Sequence, residues 1–196
     1  MRCLSPVEVE AIFTSPKFTV SLVHQDYRSA LILAPALASR QTRVAARLPQ
    51  EIDRTAYFIG TLNRWLPSNH TRLLWIDHWE TGLYGGHENA IVSAAWRGLG
   101  ETRSLTEAPG LLLEAQDWEQ EDQLEIPPAQ AETSALLTGV IAMLMITQSD
   151  GWLIAGDCAD RIEFWEGHFF FHSQVPAQID RANNIVDEFG CERWQD

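Results

Sequence analysis

Five side chains of the kinds that bind metals or transfer protons follow one short apolar run. They are Asp77, His78, Glu80, His87 and Glu88. They fall between a predicted strand, 72–77, and a predicted helix, 88–99, where active sites collect in α/β proteins. If the strand continues, His78 and Glu80 share one face about 6 to 7 Å apart, which suits one site and equally a solvated strand face. Because no diagnostic motif is present, His78, Glu80 and His87 define an alternative hypothesis, a small metal-dependent or acid–base hydrolase.

Other catalytic and cofactor-binding patterns are missing from the sequence. The glycine loop 82–86 fits neither the GxGxxG nor the GxxxxGK[ST] spacing, and Glu88 would occupy the place of a bound phosphate. Cys158 is flanked by aspartates, which disfavour a reactive thiolate. His168 and His172 share a strand face about 13 Å apart, too far for one metal ion, so they are interpreted as ordinary sheet residues. We therefore expect no cofactor and no bound metal.

The densest group of charges is an acidic segment with a tryptophan in its midst. Its six carboxylates lie within twelve residues and, with the tryptophan, are Glu114, Asp117, Trp118, Glu119, Glu121, Asp122 and Glu125. Such a run is often a solvated loop, and that interpretation stays open. Aromatic side chains are favoured as interface anchors, however, and carboxylates around one complement a basic cleft and speed association with it. The segment is therefore the predicted partner-binding site.

The net charge decides which partners fit. The chain has 14 basic and 27 acidic residues, a formal charge of −13. Residues 1–100 hold ten basic and eight acidic residues, whereas residues 101–196 hold four basic and nineteen acidic ones. Nucleic acid and anionic membranes are poor partners, because both need their phosphates neutralised. A basic protein surface is the expected partner.

Cysteine usage and the lack of an export signal predict a cytoplasmic protein. The N-terminus moves directly into a helix-start signal and has no apolar run of the secretory type. The longest apolar stretch, 135–146, is shorter than the ~20 residues that span a bilayer. Cys3, Cys158 and Cys191 form an odd set without CxxC spacing, which indicates neither a disulfide framework nor a zinc site.

Hydrophobic periodicity and chain breakers divide the sequence into helices and strands. Ser5-Pro6-Val7-Glu8 combines a capping serine, a proline in the first turn and a glutamate three residues after the serine, which predicts a helix to about Phe13. Apolar residues at helical spacing predict further helices over 51–66, 88–99, 132–146 and 176–190. Short β-rich runs predict strands over 18–23, 31–33, 72–77, 110–113, 152–155, 161–166 and 168–172.

The order of these elements predicts the architecture. From residue 72 onward it is strand, helix, strand, helix, three strands and helix, which indicates an α/β (α+β) protein with a mixed β-sheet covered by helices. The last three strands predict a C-terminal antiparallel meander, followed by a closing helix. We expect a single domain, 1–196, with 51–196 as the mixed-sheet core. Residues 1–50 form an N-terminal part that either joins the sheet or makes a separate flap.

The C-terminal strands resemble those of a known class of proteins. Residues 150–169, DGWLIAGDCADRIEFWEGHF, contain a tryptophan-aliphatic strand, an aspartate-containing turn and an aromatic hairpin. This segment, about a tenth of the chain, resembles the terminal strands of bacterial immunity proteins from polymorphic toxin systems. The resemblance implies a stoichiometric inhibitor that binds a cognate toxin and performs no chemistry.

Three functional hypotheses follow from the sequence. The leading one is an acidic protein-binding module of immunity or antitoxin type, anchored by Trp118 in a basic cleft of a toxin domain. Four carboxylates would pair there with Arg or Lys of the partner: Asp117, Glu119, Glu121 and Asp122. The hydrolase built on His78, Glu80 and His87 is the alternative, so enzymatic activity stays open. The third is a subunit that self-associates, as a homodimer would, through a tryptophan-rich surface.

Overall fold

The computed structural model describes most of the chain. The described residues are 1–13, 18–25, 28–35, 42–47, 49, 52–67, 71–77, 93–105, 107–113, 139–142, 150–156, 160–165 and 167–194.

Helices and strands alternate along these ranges. The strands are β1 (Arg2–Leu4), β2 (Phe18–Gln25), β3 (Arg28–Pro35), β4 (Thr42–Arg47), β5 (Arg72–Ile76), β6 (Gly110–Leu113), β7 (Gly151–Ala155), β8 (Arg161–Trp165) and β9 (His168–Ser173). The helices are α1 (Pro6–Phe13), α2 (Ile52–Trp65), α3, described over 93–98, α4, described over 139–142, and α5 (Pro176–Glu188). Every helix and strand predicted from the sequence has its counterpart here, and β1 and β4 are additional.

Seven of the strands form one sheet, in the order β1-β6-β5-β7-β8-β9-β4. This confirms a sheet covered by helices, with β7, β8 and β9 as the antiparallel meander and α5 as the closing helix. The sheet differs in detail from the mixed one predicted, because all pairs between described strands are antiparallel. Strands β6 and β7 run in the same direction, but β5 lies between them and pairs with both.

The first 50 residues contribute to both edges of this sheet. Strand β1 pairs with β6 at one edge, and β4 pairs with β9 at the other. Strands β2 and β3 form a separate hairpin that contacts α1 and β7. The N-terminal part is therefore divided between the sheet and an element outside it.

The first face of the sheet is buried under α2 and α5. Alternate strand residues such as Leu74, Leu153 and Phe171 point into this core, as the two-residue period of a strand requires. Trp65 of α2 meets Phe171 edge-on, with ring centroids 4.9 Å apart. The indole N–H of Trp65 also donates to the backbone oxygen of Gln178 at 2.9 Å, which ties α2 to α5.

The second face carries a smaller apolar core at its β1–β6–β5–β7 side. Val9 and Phe13 of α1 pack there against Leu73, Trp75 and Leu112 of the sheet. Helix α1 has eight residues, of which Val9 and Phe13 are buried, so it covers only this part of the second face.

A charged network holds the N-terminus of α1 and the edge strand β1. The predicted capping box forms: the Ser5 N–H donates to Glu8 Oε2 at 2.7 Å, and the Glu8 N–H donates to Ser5 Oγ at 3.4 Å. Arg103 forms ion pairs with Glu8 at 3.1 Å and with Glu101 at 2.7 Å. Its Nη2 also donates to the backbone oxygen of Cys3 at 3.1 Å, so a side chain occupies an acceptor of this edge strand.

These hydrogen bonds favour the ionised carboxylates. The backbone and side chain of Ser5, followed by Arg103, lower the pKa of Glu8 to about 2. The side chain of Arg103 is the main reason why the pKa of Glu101 is also about 2. The network is therefore fully charged at neutral pH.

Among the described helices, none combines the length and the apolar character that a bilayer crossing needs.

Candidate functional site

The sequence-predicted sites fall mainly outside the described residues. This applies to His78, Glu80, His87, Glu88 and Cys158, and to the partner-binding residues Glu114, Asp117, Trp118, Glu119, Glu121, Asp122 and Glu125. Of the five-residue hydrolase cluster, only Asp77 is described. Its Oδ1 accepts a hydrogen bond from the indole N–H of Trp75 at 2.7 Å. Asp77 thus contributes to holding the end of β5.

The described residues offer neither a metal site nor a reactive thiol. In the described ranges, no three His, Cys, Asp or Glu side chains are grouped so that they could hold a metal ion. Burial raises the pKa of the Cys191 thiol to about 11, and burial followed by the charge of Glu101 does the same for Cys3. Both thiols are therefore protonated at neutral pH and are poor nucleophiles.

The most distinctive described feature is a row of aromatic rings on the second face, over β7, β8, β9 and β4. We call it the ring row, and it consists of Trp152, Trp165, His168, Phe170, His172 and Trp194. Strand alternation produces it, because the residues between these positions, such as Phe169 and Phe171, point into the core of the first face. The ring row therefore continues the second face beyond the part that α1 covers.

Neighbouring rings of the row lie within interacting distance. Trp152 and His172 have centroids 6.0 Å apart, His172 and Phe170 6.5 Å, and Phe170 and His168 6.4 Å. At the far end, Trp194 meets His168 edge-on at 4.3 Å. Trp165, the member of the row on β8, has its ring centroid 6.3 Å from that of Phe170. Separations of this size are typical of attractive aromatic pairs.

Three arginines of the chain contact rings of the row. The guanidinium of Arg43 lies over Phe170, 5.5 Å from the ring centroid, and that of Arg161 over Trp152, at 6.0 Å. Arg47 donates from Nε to His168 Nε2 at 2.8 Å. In this bond His168 Nε2 is the acceptor. The row therefore combines aromatic rings with guanidinium groups. A cation over the face of an aromatic ring is attracted by it.

One carboxylate on the same face joins the row. Glu163 lies across from Phe170 in the β8–β9 register, and its Oε2 is 3.0 Å from His172 Nε2. Both side chains are largely shielded, so this polar contact fixes the ring orientation of His172. The arrangement suits binding of flat or cationic groups.

The C-terminal segment brings Trp194 to the row. After α5 the chain turns at Gly190, whose φ of 62° is easy for glycine, and then runs along the free edge of β4. The Arg47 N–H donates to the backbone oxygen of Glu192 at 2.8 Å, and the Trp194 N–H donates to that of Ala45 at 2.9 Å. The backbone thus sets the position of the Trp194 side chain.

The row is buried at its centre and open at one end. His168 and Phe170 are almost fully buried, whereas Trp165 is 45% and Trp194 39% exposed. An open groove adjoins this end and is lined by Arg47, Asp187, Cys191, Glu192, Arg193 and Trp194. The exposed rings and the groove together make this end the candidate binding surface.

The sequence contained a signal for the ring row that reasoning from local pattern used only in part. The alternation already places His168 and His172 on one strand face, where they are interpreted as ordinary sheet residues; Phe170 lies between them on that face, which makes the three a row of rings. The role of Trp194 had no such signal, because it depends on the return of the chain along β4.

Comparison of the chain with family models, with curated proteins and with solved structures found no match in any of the three.

Proposed function

We propose that this chain is an acidic protein-binding module that inhibits a basic partner protein in the manner of bacterial immunity proteins and antitoxins. The observation that carries the proposal is the charge: −13 overall, with nineteen acidic and four basic residues in 101–196. A surface of this kind attracts a basic cleft over a long range and repels nucleic acid. The inhibitor acts by covering the cleft, in the cytoplasm where the toxin would otherwise act.

The acidic segment supplies the proposed contact. Trp118 is the anchor, and Asp117, Glu119, Glu121 and Asp122 pair with arginines or lysines of the partner. Exposed charge pairs mainly speed encounter, whereas a desolvated tryptophan holds the complex. Raising the salt concentration should therefore slow association, and removing the tryptophan should speed dissociation.

Co-expression with the product of the immediately adjacent gene tests the proposal. We expect that product to be toxic alone, to be neutralised by this chain and to co-purify with it. Neutralisation without a complex, or no neutralisation, would overturn the inhibitor function.

Variants of the purified complex then test the surface. Trp118→Ala should weaken the affinity by roughly thirtyfold or more if Trp118 is a central anchor. As a control for charge lost away from the acidic segment, Asp180→Asn with Glu188→Gln on exposed positions of α5 should change the affinity little. A complex that is indifferent both to salt and to Trp118→Ala would contradict this surface assignment.

The hydrolase alternative stays a prediction. It depends on His78, Glu80 and His87, which lie outside the described residues. Metal analysis of the purified protein separates it from the inhibitor, since a stoichiometric metal that is lost in His78→Ala and His87→Ala would favour the hydrolase.

A further inference from the structure

The exposed end of the ring row presents two tryptophans on either side of one histidine. Trp165 is the register partner of His168 in the β8–β9 pair. Directly opposed residues of an antiparallel pair have Cβ atoms about 5 Å apart. Trp194 lies on the other side, with its ring centroid 4.3 Å from His168. Two indoles therefore border one short stretch of surface, and both are held by the backbone of the sheet.

A carboxylate lies beside these rings. Glu192 follows the same edge as Trp194 and forms an ion pair with Arg47 at 3.8 Å. Both side chains are more than half exposed, at 69% for Glu192 and 55% for Arg47. Exposed ion pairs of this length are weak, so Glu192 can accept a second cation without a large loss.

The remainder of the row already shows which chemical group its rings receive. Arg43 lies over Phe170, Arg161 lies over Trp152, and Arg47 donates to His168. Two of these contacts place a guanidinium over a ring face, and the third is a hydrogen bond from a guanidinium to a ring nitrogen. The exposed end offers the same ring chemistry to solvent.

We propose that Trp165, Trp194 and Glu192 bind arginine side chains on the surface of a basic protein. This inference rests on the proposed function and adds a second contact surface to it, on the sheet and apart from the acidic segment. Charge complementarity selects the occupant, since a chain of charge −13 attracts a cationic partner and repels nucleic acid, the other ligand that stacks on rings.

Arginine fits this surface better than lysine does. A guanidinium is planar, weakly hydrated and stacks on aromatic faces while it donates to a carboxylate at its edge. A lysine ammonium is a strongly hydrated point charge and gains less from an exposed ring. We therefore expect discrimination between the two cations, which simple charge attraction would not produce.

Fluorescence anisotropy with labelled peptides tests the proposal on the full chain. The probes are a nine-arginine peptide, a nine-lysine peptide and a nine-nucleotide oligouridylate, each at two salt concentrations. We expect the arginine peptide to bind most tightly, and Trp165→Leu and Trp194→Leu each to weaken it roughly two- to fivefold, the size of one exposed cation–π contact. Trp165→Phe should restore most of the loss, because it restores a ring.

Tyr57→Leu is the matched control, since Tyr57 is an aromatic side chain on α2 that is 74% exposed. The Tyr57→Leu variant should bind the arginine peptide with the same affinity as the unchanged chain. If Trp194→Leu loosens the C-terminal segment, the proposal is judged on Trp165→Leu alone. Trp165 lies at the end of strand β8, so its replacement does not affect that segment. Equal binding of arginine and lysine peptides in all variants, or preference for the oligouridylate, would overturn the proposal.

The two proposals fail in different ways. If the adjacent gene's product is neutralised equally well by the unchanged chain and by Trp165→Leu, the inhibitor function stands and the ring surface does not take part. If that product is not neutralised but the arginine peptide still depends on Trp165, the proposed function falls and the ring surface remains an arginine-binding site.

Discussion

Strand β9 presents aromatic rings on both of its faces, and the two sets of rings have different neighbours. Phe169 and Phe171 point into the first face, where rings from α2 meet them at 4.6 Å and 4.9 Å. His168, Phe170 and His172 point to the second face, where their neighbours include three guanidinium groups and a carboxylate. Phe169 and Phe170 carry the same ring at adjacent positions of one strand, yet their neighbours differ. The face of the sheet on which a ring lies therefore decides its surroundings.

The largest expected effect is on the first face. Phe171→Ala removes a fully buried ring that packs against Trp65, and the cavity adds to the lost transfer energy. We expect the free energy of unfolding to fall by about 3 to 5 kcal/mol, measured by urea denaturation. If Trp165→Ala at the open end of the ring row cost as much, that end would be packed as tightly as the core of the first face, and the contrast between them would be lost.

The next effect concerns the charged network at the α1 side of the second face. Arg103→Met removes the bonds to Glu8, Glu101 and the Cys3 carbonyl. Because Arg103 is partly exposed, we expect a loss of about 1 to 2 kcal/mol in the same measurement. Arg97→Met, at an exposed position of α3, is the control and should change stability by less than about 0.5 kcal/mol. Equal effects of the two substitutions would remove Arg103 from the structural network.

The same network predicts a dependence on pH. The pKa of Glu8 and that of Glu101 are lowered from 4.5 to about 2 in the folded chain. Their contribution is therefore present above pH 4.5 and is lost as the pH falls towards 2. Urea midpoints at pH 5 and pH 2.5 should show a larger acid loss for the unchanged chain than for Arg103→Met. A constant difference between the two proteins would show that these carboxylates do not interact with Arg103.

The smallest expected effect is at the open end of the ring row. Trp165→Leu should change the free energy of unfolding by no more than about 0.5 kcal/mol, since almost half of that side chain is already in solvent. Urea denaturation beside the peptide-binding measurement separates folding from binding. A large loss of stability would place Trp165 in the core and not on a docking surface.

The sequence predicted the helices and strands better than it predicted which of them contact one another. The capping box at Ser5 and Glu8 formed as expected, because it depends on four consecutive residues. The C-terminal meander and α5 were predicted for the same reason: their periodicity and their turn residues are local. Strands β1 and β4 were not predicted, since β1 has only three residues and β4 carries arginine at two of its three outward positions, 43 and 47.

The candidate site also has a part that the sequence predicts and a part that it does not. Trp165, His168, Phe170 and His172 share a face by strand alternation, which can be read from the sequence. That Trp194 joins them depends on the chain returning along β4 after Gly190. Arg43 and Arg47 reach the rings because β4 pairs with β9, which lies more than 120 residues later in the chain. Contacts between distant segments leave no local pattern, so the sequence does not show them.

The sequence by itself determined the charge of −13 and its concentration in 101–196, the helices and strands other than β1 and β4, and which residues of each predicted strand share a face. These properties depend on composition and on short-range geometry. The tertiary structure decided strand order, the antiparallel pairing of the described strands, and which part of each face is covered by helices. It also assembled the ring row with its arginines, because helix packing and long-range strand pairing set those neighbours.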